Sequence, residues 1–208
     1  MSGLLMVLSD APKGREAAFN SWYDEHAQAR HRVPGIETAQ RYTAVDGQPE
    51  YMADYDLDSV DVLDSPEYTN LRSHRPEGEQ EMLGSLPAPL DRRIYRSTAE
   101  SVNEGYSVEA STHALAVWMT VDDPEDFAAW YEKEHLPLLF KVPGWLRCRR
   151  FELVSGGGPR FLALHDLASL ETVTDPAGAP ARQTAWRDRV IAYRTAYERR
   201  VYKLTKRF

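Results

Sequence analysis

The chain has 208 residues, 27 % of them charged and 42 % hydrophobic, with a net charge of −7 and one cysteine, Cys148. That balance is ordinary for a soluble globular protein of one large or two small domains, and its acidity argues against nucleic acid or an anionic membrane as a partner. A lone cysteine rules out an internal disulfide and leaves no basis for a cysteine-built metal site. Apolar runs such as "ALAVWM" at 114–119 fall far short of the roughly 20 residues a membrane span needs. The N-terminus has no basic stretch followed by a cleavage site, so a cytoplasmic location is expected.

In chain order, "GLLMVLS" (3–9) predicts a first strand. A helix follows in "FNSWYDEHAQARHRVPG" (19–35), where Phe19, Trp22, Tyr23, His26, Ala27 and Arg30 repeat with helical spacing. Val-Pro-Gly closes it, because Pro disfavours helix before it and Gly tolerates the turn. "IETAQRYTAV" (36–45) and "YMADYDL" (51–57), joined by "DGQP", read as a hairpin. Less regular helix is expected over 60–84, then a fourth strand at "RRIYR" (92–96).

The same elements then recur. "HALAVWMTV" (113–121) predicts a strand, and "FAAWYEKEHLPLLFKVPG" (127–144) a helix matching the earlier one with one residue added. "WLRCRRFELV" (145–154) and "FLALHDL" (161–167) form a hairpin around "SGGGP", helical segments fall within 168–192, and "RRVYK" (199–203) closes the series. "PEYMADYDLDS" (49–59) matches "PRFLALHDLAS" (159–169), which places Tyr55 on His165; "DRRIYRST" (91–98) matches "ERRVYKLT" (198–205), which places Tyr95 on Tyr202. Matches in one order at nearly one offset imply a tandem duplication. The repeats span 1–98 and 113–208, and the polar stretch 99–112 is read as a linker. Each repeat has the order βαββαβ, the ferredoxin-like arrangement.

The aromatic first helix, of the form F-x-x-W-Y-x-x-x-H-L-P followed by Val-Pro-Gly, resembles the dimeric α+β barrel superfamily, closest to its EthD-like branch. Residues 127–144 fit best; the first copy is one residue shorter and lacks Leu-Pro after His26. The resemblance implies an α+β fold in which two ferredoxin-like βαββαβ repeats form an intramolecular, pseudo-dimeric α+β barrel. A homodimer of the two-repeat chain is compatible with it. Members of that superfamily are commonly cofactor-free enzymes acting on aromatic, polyketide-like or lactone substrates, while some bind haem and others have no known catalysis.

No dinucleotide, phosphate-loop, hydrolase-elbow or HExxH signature occurs, and the six histidines lack metal-ligand spacing. No metal and no cofactor are therefore expected. His135 shares a helical stripe with Trp130, Tyr131 and Glu134, either as a proton carrier or as a buried structural group. His165 and its counterpart Tyr55 face either the barrel lumen or the helices. Together with His26 these are the candidate catalytic residues. Trp118, Trp130, Tyr131, Tyr23, Trp22 and Tyr202 are candidates for gripping a small hydrophobic or aromatic substrate, and Arg149 for clamping an anionic group on it. The inventory fits acid–base chemistry, most simply a lyase or elimination reaction, with a cofactor-free monooxygenase or a non-catalytic binding protein as alternatives. The second repeat, with the fuller helix motif and His165, is the expected working half.

Overall fold

The computed structural model describes residues 2–75 and 77–208. It falls into two compact units. The first comprises the chain up to Ser97 together with 154–157 and 204–208; the second comprises 98–153 and 158–203.

In the first unit the elements are β1 (Gly3–Ser9), α1 (Glu16–His31), β2 (Gln40–Ala44), β3 (Tyr51–Leu57), α2 (Pro66–Ser73), α3 (Glu77–Ser85) and β4 (Asp91–Val102). Strand β1 pairs antiparallel with both β3 and β4, and β2 pairs with β3, which gives the order β4-β1-β3-β2. Alternation along the strands selects the face that meets the helices. Leu5 and Val7 of β1 and Tyr51, Ala53, Tyr55 and Leu57 of β3 pack with Phe19, Tyr23 and Ala27 of α1.

The second unit contains β5 (His113–Val121), α4 (Pro124–Trp130), a π-helical turn (Tyr131–His135), α5 (Leu136–Leu139), β6 (Trp145–Ser155), β7 (Phe161–Leu167), α6 (Ala185–Ala192) and β8 (Arg194–Arg207). Its pairing gives the equivalent order β8-β5-β7-β6. Leu115, Val117 and Met119 of β5 and Ala163 and Leu167 of β7 pack with Phe127, Trp130 and Tyr131. The hydrogen-bonded sequence of all eight strands, β1-β3-β2-β8-β5-β7-β6-β4, closes on itself, so the protein is a mixed α+β fold with a closed antiparallel barrel.

The residue added in the second helix is absorbed locally. Trp22 and His26 are four apart on a regular α-helix, whereas Trp130 and His135 are five apart, and the intervening residues form a π turn. A π turn adds one residue without breaking the helix. It returns His135 to the face of its tryptophan: the Trp130 and His135 rings stack at 4.1 Å, against 4.9 Å for Trp22 and His26. Val-Pro-Gly closes both helices as expected, with Gly35 at φ +88° and Gly144 at φ +84°. A side chain at either position would also collide, at 2.5 Å, with Val62 or Thr172 respectively.

Two expectations need correcting. The stretch 99–112 is not all linker, because β4 continues through Val102. Beyond it the Asn103 amide donates to the carbonyls of Phe140 and Trp145, both at 2.9 Å. Those bonds come from distant residues and leave no local pattern. The helical segments also break up: 60–84 becomes a 3-10 turn plus α2 and α3, and 168–192 becomes three 3-10 turns before α6.

Candidate active site

In the second unit, His135 and His165 line one cavity of about 180 Å³ with Trp130, Tyr131 and Trp145. The π turn delivers His135. His165 arrives from mid-β7, where it sits opposite Leu115 of β5 and Cys148 of β6. The Tyr131 ring lies 5.2 Å from that of His135 and 6.3 Å from that of His165. Aliphatic walls come from Leu115, Val117 and Met119, and four arginines, Arg182, Arg187, Arg194 and Arg199, border the same space. The chain as a whole is acidic, so this concentration of cations is local and selects for anions.

Hydrogen bonding distinguishes the two imidazoles. Trp145 Nε1 donates to His165 Nδ1 at 3.1 Å, so in the neutral ring the proton sits on Nε2, which faces Cys148 Sγ at 4.0 Å. His165 is 1 % exposed, and its pKa is pushed down to about 3 by burial first, then by His135 and Arg199. His135 is likewise held down to about 3 by burial, with partial opposition from the Ala181 carbonyl. Its Nδ1 is buried without a hydrogen-bond partner, as is Trp130 Nε1. Burial raises the Tyr131 pKa far above its usual value, so its hydroxyl keeps its proton. Burial also pushes the Cys148 thiol up, so it is no thiolate nucleophile at neutral pH.

The other sequence-predicted residues lie elsewhere. Glu134 accepts from Thr184 Oγ1 at 2.6 Å, tying the π turn to the start of α6. Trp118 and Tyr202 are buried but do not line the cavity; alternation puts them on the sheet face opposite Val117 and Val201. Arg149 shares their face, 3.8 Å from Asp166, whose other oxygen accepts from Arg147 Nε at 2.6 Å. Tyr23, Tyr55, Trp22 and His26 belong to the first unit. Of the two faces left open for His165 and Tyr55, both residues take the one covered by the helices of their own unit. Trp145 and the four bordering arginines are not among the candidates read from the sequence, although "RQTAWRDRVIAYRTAYERR" (182–200) carries the arginine excess openly.

The first unit has a cavity of about 300 Å³ in the corresponding place, lined by Leu5, Val7, His26, Arg30 and Tyr68 among others. There His26 Nδ1 lies 3.3 Å from Glu79 Oε1 of α3. Burial still dominates and lowers the His26 pKa to about 4.

Among the described residues, no group of three or more His, Cys, Asp and Glu side chains could hold a metal ion.

The architecture is that of the dimeric α+β barrel. No protein-family model matches the chain, and no curated protein matches it. Solved structures do. An anthrone oxidase-like protein superposes with a TM-score of 0.70 at 10 % identity, over 100 % of this chain and 92 % of that one. A candidate monooxygenase from Fusobacterium nucleatum subsp. nucleatum gives 0.65 at 10 % identity, over 99 % and 93 %. A mutant chlorite dismutase from Candidatus Nitrospira defluvii gives 0.64 at 8 % identity, over 99 % and 92 %. At such identities the likeness is one of fold. No described helix is long and apolar enough to cross a membrane.

Proposed function

We propose that the second-unit cavity is the active site of a cofactor-independent enzyme that takes a proton from a small aromatic or polyketide-like substrate. The observation that carries this reading is the convergence of His135, His165 and Tyr131 on one cavity bordered by four arginines. His135 is the proton acceptor, because its ring lines the cavity and burial holds it neutral there. In the empty site burial keeps it neutral, and an enolate or phenolate forming beside it raises its affinity for the proton. His165 is fixed as a neutral N–H donor. Together with the protonated Tyr131 and the arginines it stabilises the developing oxyanion. Trp130 and Trp145 hold the planar body of the substrate.

The simplest outcome for such an anion is elimination, a lyase or dehydratase step. A second reading, cofactor-free monooxygenation, is favoured by the anthrone oxidase-like and monooxygenase descriptions of the structural neighbours. It starts from the same proton abstraction, after which the carbanion reacts with O₂; converting a methylene to a carbonyl consumes one O₂ and releases one water. Oxygen uptake by purified protein with anthrone or related phenolic substrates separates the two. Uptake abolished by His135→Ala supports monooxygenation, and anaerobic turnover supports elimination. Absence of any turnover across a panel of phenolic and β-keto substrates would leave a binding protein.

The two units are read here as tandem EthD-like repeats, each ferredoxin-like, because both have the same strand order and each carries the Trp-Tyr…His helix. One chain then supplies both halves of a barrel. A cytoplasmic location and a homodimer of whole chains are part of the same reading. Sedimentation of the 23.7 kDa chain tests the latter.

A further inference from the structure

The first-unit cavity contains a cation that the proposed chemistry does not use. Arg30, on the last turn of α1, is 7 % exposed, and its Nη1 donates to the His26 carbonyl at 3.2 Å. Among the described residues no carboxylate lies within ion-pair distance of it. A guanidinium at that depth with one carbonyl for a hydrogen-bond partner has four further N–H donors, and its charge is met only at a distance by Glu79, so an anion in the cavity would complete it. Arg72, Arg75 and Arg92 line the same space. The nearby carboxylate of Glu79 is already engaged by His26 at 3.3 Å and Arg75 at 3.6 Å. The remaining walls are apolar, from Leu5, Val7, Leu83 and Leu90, with the Tyr68 side chain among them.

We propose that this cavity is a second ligand site, separate from the second-unit active site, and that it binds a small aryl carboxylate. The carboxylate sits on Arg30 in a two-pronged pairing that its planar guanidinium favours. The aromatic body lies against the leucines, and the arginines at the border draw the anion in from an otherwise acidic surface. His26, held by Glu79, closes the inner end.

Trp22 is the only tryptophan in the first unit, the other four being Trp118, Trp130, Trp145 and Trp186. Its ring lies 4.9 Å from that of His26, so its indole N–H reports on this cavity while Trp130 and Trp145 report on the other. The experiment is a titration of ¹⁵N-labelled protein with 2-naphthoate, the Trp22 resonance being assigned by Trp22→Phe, with neutral 2-naphthamide as the control. A saturable shift of the Trp22 signal is expected, weakened about tenfold or more in Arg30→Gln and reduced by added salt, with naphthamide far less effective. A Trp22 signal that does not move, an equal response to naphthamide, or unchanged affinity in Arg30→Gln would each overturn the proposal. Should Arg30→Gln fail to fold, Arg72→Gln and the naphthamide comparison decide in its place. Shifts confined to Trp130 and Trp145 would leave the second-unit reading standing and remove this one.

Discussion

The first helices of the two units carry the same residue types on the same face, yet they set their histidines in opposite electrostatic situations. In α1, His26 is paired with a carboxylate, Glu79. In the π turn, no ion pair forms at His135 among the described residues, and the adjacent Glu134 accepts instead from Thr184. The third strands diverge in the same sense, with the phenol of Tyr55 in one unit and the imidazole of His165 in the other. Equal backbone positions therefore do not mean equal chemistry: one unit has a histidine paired with a carboxylate, the other two buried imidazoles lining one cavity.

The comparison breaks first under catalytic substitution. His135→Ala is expected to lower turnover by about 10²–10⁴-fold, the usual worth of a proton-transfer group. His165→Gln should fall in the lower part of that range and His26→Ala should cost only a few-fold. Steady-state rates on the substrate found by the oxygen-uptake or elimination screen check this, and equal losses at His26 and His135 would mean two live sites.

Acid stability sharpens it next. An imidazole whose folded pKa lies below its unfolded value near 6.5 stays neutral in the fold while the unfolded chain takes up a proton. Stability is therefore complete above about pH 6.5 and falls as the pH drops toward the folded pKa. For His165 that window runs down to about 3 and for His26 down to about 4. Each buried ring contributes up to ~1.4 kcal/mol per pH unit. Urea midpoints between pH 7 and pH 4 should show this slope, and His165→Gln and His26→Gln should each flatten it.

Deleting Lys133 would convert the π turn to the regular spacing of α1. The helix should survive, and the displaced His135 should cost on the order of 10²-fold in kcat with little change in the far-ultraviolet dichroism. Wild-type activity in the deletion variant would make the extra residue incidental. The smallest effect is expected at the helix ends, where Gly35→Ala and Gly144→Ala should each lose about 1–2 kcal/mol from left-handed backbone strain. The collisions with Val62 and Thr172 add to that loss, and thermal melts of the pair should shift alike.

Much of this fold could be read in the chain because it is written in local periods: alternation in the strands, helical spacing from Phe19 to Arg30 and from Phe127 to Leu138, and Val-Pro-Gly after each helix. The face to which His165 points could not, because alternation tells that residues share a face and not which layer covers it. The extra residue in the second helix was visible as a count, but its conversion into a π turn depends on the packing of Trp130 and His135. Asn103 and the Arg182–Arg199 border depend on partners tens of residues away. Trp118, Tyr202 and Arg149 look like ligand-gripping residues by type, and only the sheet's curvature and pairing put them on the face away from the cavity.

The last residues of the chain belong to the unit that begins it. Thr205 Oγ1 donates to the Arg41 carbonyl at 2.9 Å, Lys206 Nζ to Asp24 Oδ2 at 2.6 Å, and the Phe208 amide to the Ala39 carbonyl at 3.0 Å. During synthesis, then, β2 leaves the ribosome with its outer hydrogen-bonding row unfilled and stays so until more than a hundred further residues have been added. Such an open edge is where nascent chains pair with one another. Arg41, bonded to Asp24 and to the Asn20 carbonyl, places a charge on that edge throughout the wait.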